Sequence, residues 1–314
     1  GLYATLYSFP AMMKRNLMKG SVIPRYSGLP TVLKENGYYN LFFMTHEGQY
    51  DNMNAFFRTN GYDEVFSQED YPADKVVNSF GVQDDFLYDY AIPVLNQRAA
   101  TGQPFFATLL SISNHPPYVI PPFFHPKTSE PETQIVEYAD WALRQFFEEA
   151  RKQPWFDNTI FVLEGDHGKL VGDAECELPE SYNHIPLMIY SSRIQPEEKT
   201  TFGGQVDIQP TILGLLNIDY LQNNFGVDLL KEERPCMFYT ADNMIVGRND
   251  TLLYLFNYET QQEFTYHIDN GKLKAVPMDD RFLPLKEYSF SMLQSAEFLV
   301  KHGKTVNSVP FTQQ

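Results

Sequence analysis

An acid and an imidazole stand side by side at Asp166-His167, directly after a short apolar run and a glycine, Phe161-Val162-Leu163-Glu164-Gly165. The run has strand length and no helical period. A strand that ends by presenting Asp and His at its carboxyl edge is a common setting for a metal site in an open α/β sheet. A carboxylate beside an imidazole suits a divalent cation of intermediate hardness such as Mn²⁺ or Zn²⁺. The same residues also suit a plain polar turn, with Asp166 capping the next element of the chain. Two ligands do not complete a site, so a metal here needs at least one further oxygen ligand from elsewhere in the protein.

Three other junctions carry polar residues of this kind. Thr45-His46-Glu47 is followed by Asp51-Asn52, Ser113-Asn114-His115 precedes two prolines, and Asn183-His184 precedes an apolar run. With His167, four of the seven histidines fall at these four junctions. Each has a structural alternative. His46 and Asp51 equally suit a cap or a turn, His115 suits a stiff loop, and His184 reads as a supporting imidazole rather than a ligand. No Gly-x-Ser-x-Gly elbow, P-loop or dinucleotide glycine fingerprint is present.

The elements that must position these residues alternate. Strands are expected at Tyr38 to Met44, Phe105 to Ile112, Thr159 to Leu163 and Ile185 to Tyr190. Helices are expected at Asn52 to Thr59, Asp84 to Arg98, Thr133 to Arg151 and from Asp207, as N-cap, to Leu216. That order predicts an α/β fold: a mostly parallel sheet with helices on both faces. From residue 236 the pattern changes to short strand-like runs, an Asp269-Asn270-Gly271 hairpin turn and a final helix. We therefore expect a core over residues 1–235 and a small C-terminal α+β subdomain over 236–314.

The 314-residue chain is 43% hydrophobic, ample for a core, and carries a net charge of −16. A surface that acidic excludes non-specific nucleic-acid binding and a polybasic membrane contact. Cys176 and Cys236 match no zinc spacing, and either a disulfide or two free thiols fits the sequence. No apolar run reaches the ~20 residues that span a bilayer, and no signal peptide is present. The opening Gly1-Leu2-Tyr3 lacks an initiator Met and reads as the inside of a larger protein.

Phe161 to Gly168, together with Ser113-Asn114-His115-Pro116-Pro117-Tyr118, resembles the lipoteichoic acid synthase group of the sulfatase and alkaline phosphatase superfamily. Tyr50 to Asn54 with Asn60-Gly61-Tyr62-Asp63, His184 to Tyr190, and Gln205 to Leu215 resemble the same group in the same order. The resemblance covers about residues 1–220.

It implies an alkaline-phosphatase-like fold and an extracytoplasmic enzyme anchored in the bacterial cell membrane by a segment outside this chain. Such enzymes move a phosphoglycerol-type head group from a phospholipid to a glycan or polyol acceptor. A Thr nucleophile attacks the phosphodiester and passes the group on through a phospho-threonine, with one divalent ion, Mn²⁺ foremost and Mg²⁺ or Zn²⁺ as alternatives. Asp166 and His167 match the metal ligands. His115 matches the phosphate-binding histidine. Asp51 and Asn52 fall in the head-group loop, and His184 joins the substrate side. The nucleophile and a further acidic ligand are expected upstream of Gly1, because Leu2 to Leu6 matches the helix that follows the nucleophile; Thr5 lies within that helix. Sulfate- or phosphate-ester hydrolysis is the alternative chemistry, although neither cysteine sits in a Cys-x-Pro-x-Arg motif. A non-catalytic head-group or glycan binder is the alternative of another class.

Overall fold

The computed structural model describes residues 1–307 apart from Lys14, Ser21 and Val171. Its first half is organised on β1 (Tyr39–Met44), which pairs in parallel with β2 (Glu64–Phe66) on one side and β3 (Phe105–Leu110) on the other. Successive strand residues point to opposite faces, and β1 uses both. Phe42 and Met44 enter a cluster with Leu6, Tyr7 and Phe9 of the N-terminal segment and with Phe56 and Phe57. Leu41 and Phe43 enter a second cluster on the opposite face. A strand apolar on both faces is what a sheet sandwiched between helices requires.

The helices supply those faces. α1 (Leu2–Tyr7), α2 (Leu29–Glu35) and α3 (Met53–Thr59) precede or follow β1. α4 (Asp84–Ala99) and α5 (Pro131–Ala150) bury Leu87, Ala91 and Leu95, and Phe146 and Ala150, against the second face. α1 ends at Ser8, whose left-handed backbone (φ 54°) turns the chain two residues before Pro10. β2 has only three residues, too few for a periodic signal, and falls in a stretch that reads as loop.

β4 (Phe161–Glu164) and β5 (Leu187–Tyr190) form a separate antiparallel pair, with Glu164 opposite Leu187. β4 nevertheless lies between the same helical layers as β3. Phe161 and Phe105 both pack on the α4–α5 cluster, while Val162 and Phe106 both pack against α2 and α6 (Ile208–Leu215). Among the described residues β3 bonds only to β1, and β4 only to β5.

Beyond α6 the chain forms an antiparallel five-stranded sheet in the order β10-β9-β8-β7-β6, from β6 (Met237–Ala241), β7 (Met244–Arg248), β8 (Leu252–Asn257), β9 (Glu263–Asp269) and β10 (Lys272–Ala275). Asn270 and Gly271, both at positive φ, turn β9 into β10 as the hairpin motif requires. The closing helix α7 (Leu283–Lys301) covers this sheet and also sends Ala296, Leu299 and Val300 into the cluster that holds Leu6 and Phe9. Asp207 is the N-cap residue of α6, as expected, but its side chain makes no capping bond. It turns instead to Arg234 and to the backbone N–H groups of Gly204 and Val227.

Candidate active site

Asp166 and His167 emerge from β4 as exposed side chains, with His167 Nε2 3.8 Å from Asp166 Oδ2. Their backbone is held from three sides. Gln205 Nε2 donates to the carbonyls of Gly165 and Asp166 at 3.1 and 2.8 Å. Gly168 N donates to Tyr182 O at 2.9 Å. A Cβ at Gly168 would come within 2.0 Å of Ser181 O, so only glycine permits that approach. With Nδ1 of His167 bonded to Gly168 O at 2.7 Å, Nε2 is left for a ligand.

His184 joins this edge because β5 runs antiparallel to β4. The segment that enters β5 lies beside the segment that leaves β4: Ile185 is the nearest neighbour of Gly165, and His184 precedes it, exposed. In a parallel pair His184 would start from the opposite edge.

His115 is exposed at the end of β3, its Nδ1 bonded to Pro116 O at 2.7 Å. The loop beneath it is set by Asp84, whose buried carboxylate accepts from Ile112 N and Ser113 N at 2.9 and 3.0 Å. Burial pushes the Asp84 carboxyl upward despite these bonds. Phe80 lies 4.2 Å from the His115 ring, centroid to centroid. Its neighbour Gly81, at φ 87°, sits where a Cβ would fall 1.7 Å from Thr45 O. The 77–82 loop thus ties the end of β1 to His115. Lys169 Nζ donates to Tyr118 OH at 3.2 Å and ties the loop after β3 to the loop after β4. The polar ends of β1, β3 and β4 therefore share one edge of the fold.

Asp51 and Asn52 sit at positive φ just ahead of α3. Asp51 pairs with Lys19 at 2.7 Å and Asn52 Nδ2 donates to Met18 O at 3.0 Å, so their contacts run to the 16–19 segment. His46 is buried, stacks on Tyr50 at 4.7 Å, and has its basicity lowered by burial. Both cysteines are free thiols: Cys176 packs beside the five-stranded sheet and Cys236 is buried with Leu252 and Tyr254.

One functional candidate escaped the sequence reading. Glu164, the last residue of β4, accepts a 2.5 Å hydrogen bond from Thr5 Oγ1, while its Oε2 is buried without a partner. Burial, and then the nearby Asp166 charge, push its carboxyl up to about 7, against the Thr5 bond. Gly1 lies against Asp166 in the same corner, where a Cβ would meet Asp166 O at 2.2 Å. The start of α1, Glu164 and the Asp166-His167 pair are therefore one cluster.

Among the described residues, no group of three or more His, Cys, Asp or Glu side chains is placed to hold a metal ion. The pair Asp166-His167 offers an oxygen and a nitrogen donor, a set that fits half of a divalent-ion site.

Comparison with known proteins agrees with this geometry. A family model described as Sulfatase matches residues 1–218. Lipoteichoic acid synthase 1 of Bacillus subtilis is 27% identical over 274 residues, covering 80% of this chain and 41% of that protein. Phosphoglycerol transferase I of Xanthomonas campestris is 25% identical over 242 residues, covering 73% of this chain and 34% of that protein. A solved protein of the alkaline phosphatase superfamily from Vibrio parahaemolyticus superposes with a TM-score of 0.86 at 25% identity, over 98% of this chain and 76% of that one. The chain spans less than half the length of the two curated relatives. With a parallel sheet whose polar ends meet at one edge and a family match over most of its length, the chain belongs to the sulfatase family and resembles its lipoteichoic acid synthase and phosphoglycerol transferase members.

Proposed function

We propose that the complete protein transfers a phosphoglycerol-type head group from a phospholipid to an acceptor alcohol on a glycan or polyol. The observation that carries this reading is the meeting of Asp166, His167 and His184 with His115 at one edge, bridged by Lys169 and Tyr118. Relatives named as a synthase of lipoteichoic acid and a phosphoglycerol transferase support the substrate class.

In this reading Asp166 and His167 hold one divalent ion, Mn²⁺ by preference, which supplies Lewis-acid polarisation of a phosphoryl oxygen. His115 donates to a second phosphoryl oxygen, with Phe80 fixing its ring. His184, Asp51 and Asn52 are assigned to the head-group side. The nucleophile is a Thr ahead of Gly1, with a further acidic ligand there. Its hydroxyl oxygen bonds to phosphorus as the lipid alcohol leaves, and the acceptor hydroxyl then displaces the threonine. Among the described residues no helix is long and apolar enough to cross a membrane. An anchor outside this chain, holding the domain on the extracytoplasmic face, belongs to the same proposal, as does a division between a core over 1–235 and a subdomain over 236–314.

Neither cysteine of this chain is placed to serve sulfate-ester hydrolysis as a modified residue. Cys176 and Cys236 pack on the C-terminal sheet, and burial pushes both thiols up to about 11.

Metal analysis of the full-length protein tests the site. Asp166→Ala and His167→Ala should each lose the bound ion, and wild-type metal content in both would refute the assignment. His115→Ala should keep metal and fold yet lose turnover of a phosphatidylglycerol-like lipid. Unchanged turnover removes His115 from the site.

A further inference from the structure

Between α7 and the loop that follows α6 lies a groove of about 670 Å³. Its lining is uncharged and mixed: Asn223, Asn224, Gln294 and Ser295 stand beside the apolar Phe225, Phe298 and Leu299. No carboxylate lines it, in a chain of net charge −16.

The two asparagines have committed donors and uncommitted acceptors. Asn223 Nδ2 donates to Lys304 O at 3.3 Å and Asn224 Nδ2 to Gln209 Oε1 at 3.2 Å. The Lys304 carbonyl fixes the orientation of the Asn223 amide, whereas the Asn224 and Gln209 amides face each other and satisfy one another in either orientation. The two Oδ1 atoms are buried and have no hydrogen-bond partner. A buried acceptor without a donor is destabilising until a donor reaches it. Phe298 is 51% exposed although it is a large aromatic residue, with His302 stacked 4.2 Å away and Lys304 Nζ 5.6 Å from its centroid. The ring is thus braced and still open.

We propose that this groove binds a neutral oligosaccharide. Sugar hydroxyls both donate and accept, which matches amide and hydroxyl side chains and supplies the missing donor to Asn223 with modest rearrangement. The C–H face of a pyranose suits an open aromatic ring. The volume lies within the roughly 300–1,000 Å³ of small-molecule sites. The proposal stands apart from the catalytic reading, because it concerns binding without turnover.

The test is titration of the full-length protein with maltotriose, gentiotriose and a galactose trisaccharide, with trigalacturonate as the acidic comparison, read by calorimetry and by protein NMR. At least one neutral trisaccharide should bind saturably, with shifts centred on residues 223–225 and 291–299. Phe298→Ala should weaken that binding about tenfold, the scale of one aromatic contact, without lowering the melting temperature. Ser295→Trp should fill the groove and abolish binding, whereas Asp166→Ala should leave it unchanged. The proposal falls if no neutral trisaccharide saturates, if both groove variants bind as wild type, or if trigalacturonate binds as tightly.

Discussion

Thr5 Oγ1 and Glu164 Oε1 lie 2.5 Å apart, joining the first helix to the last residue of a strand 159 positions later. The carboxyl ordinarily titrates near 4.5 and in the folded protein is pushed up to about 7, chiefly by burial. Between those values the folded state keeps a proton that the unfolded chain has lost. Stability therefore falls as pH rises from about 4.5 to 7 and levels off above, by at most about 3 kcal/mol. Glu164→Gln should remove that slope from a urea-denaturation series across pH. A mutant profile parallel to wild type would show that folding does not shift the Glu164 carboxyl.

Arg234 and Asp207 form an ion pair whose side chains are 1% and 0% exposed. Both carboxylate oxygens accept from Arg234 Nε at 2.8 Å, and one also accepts from Val227 N at 2.9 Å. Asp207→Ala should cost about 3–5 kcal/mol, because it strands a buried guanidinium. Arg234→Met should cost less, since Val227 N and Gly204 N still serve the carboxylate. Neither effect should vary much with salt, as buried charges are poorly screened. Equal costs measured by urea denaturation would count against this order.

Gly168→Ala places a methyl group against a backbone carbonyl. It should cost about 1–3 kcal/mol and displace His167, so metal affinity in the full-length protein should fall with stability. A variant with unchanged melting temperature and metal content would mean that the 168–182 loop gives way freely.

Lys169→Met removes an exposed contact worth about 0–1 kcal/mol, so stability should hardly change. The same variant takes away a cation beside the phosphate end of the proposed site. Its effect should fall on KM for an anionic lipid more than on kcat. A loss of kcat alone would place Lys169 elsewhere in the mechanism.

Most of the strand ends were legible in the sequence, because apolar runs that stop at Asp-His, Asn-His or His-Glu are local patterns. Glu164 was not, since a terminal Glu on an apolar run reads as the strand's polar exit, and only Thr5 shows that it is buried. Asp84 reads as an acid opening a helix, while its work is to bind the backbone of Ile112 and Ser113. The direction of β5 has no local signature either: Leu187 to Tyr190 would read the same run either way. That direction brings Ile185 beside Gly165 and with it His184 to the same edge, so part of the site depends on pairing that only the folded chain displays.

The packing of α7 against the N-terminal cluster has a consequence for synthesis. Thr305 bonds Arg25 O across 280 positions, and Ala296 sits among Leu6, Tyr7 and Phe9. A ribosome adding roughly 5–20 residues per second needs on the order of 15–60 s to make that span. For that interval the cluster that Tyr3 and Tyr7 build with Tyr26 and Phe56 lacks its contacts with α7, a window in which chaperone capture competes with folding.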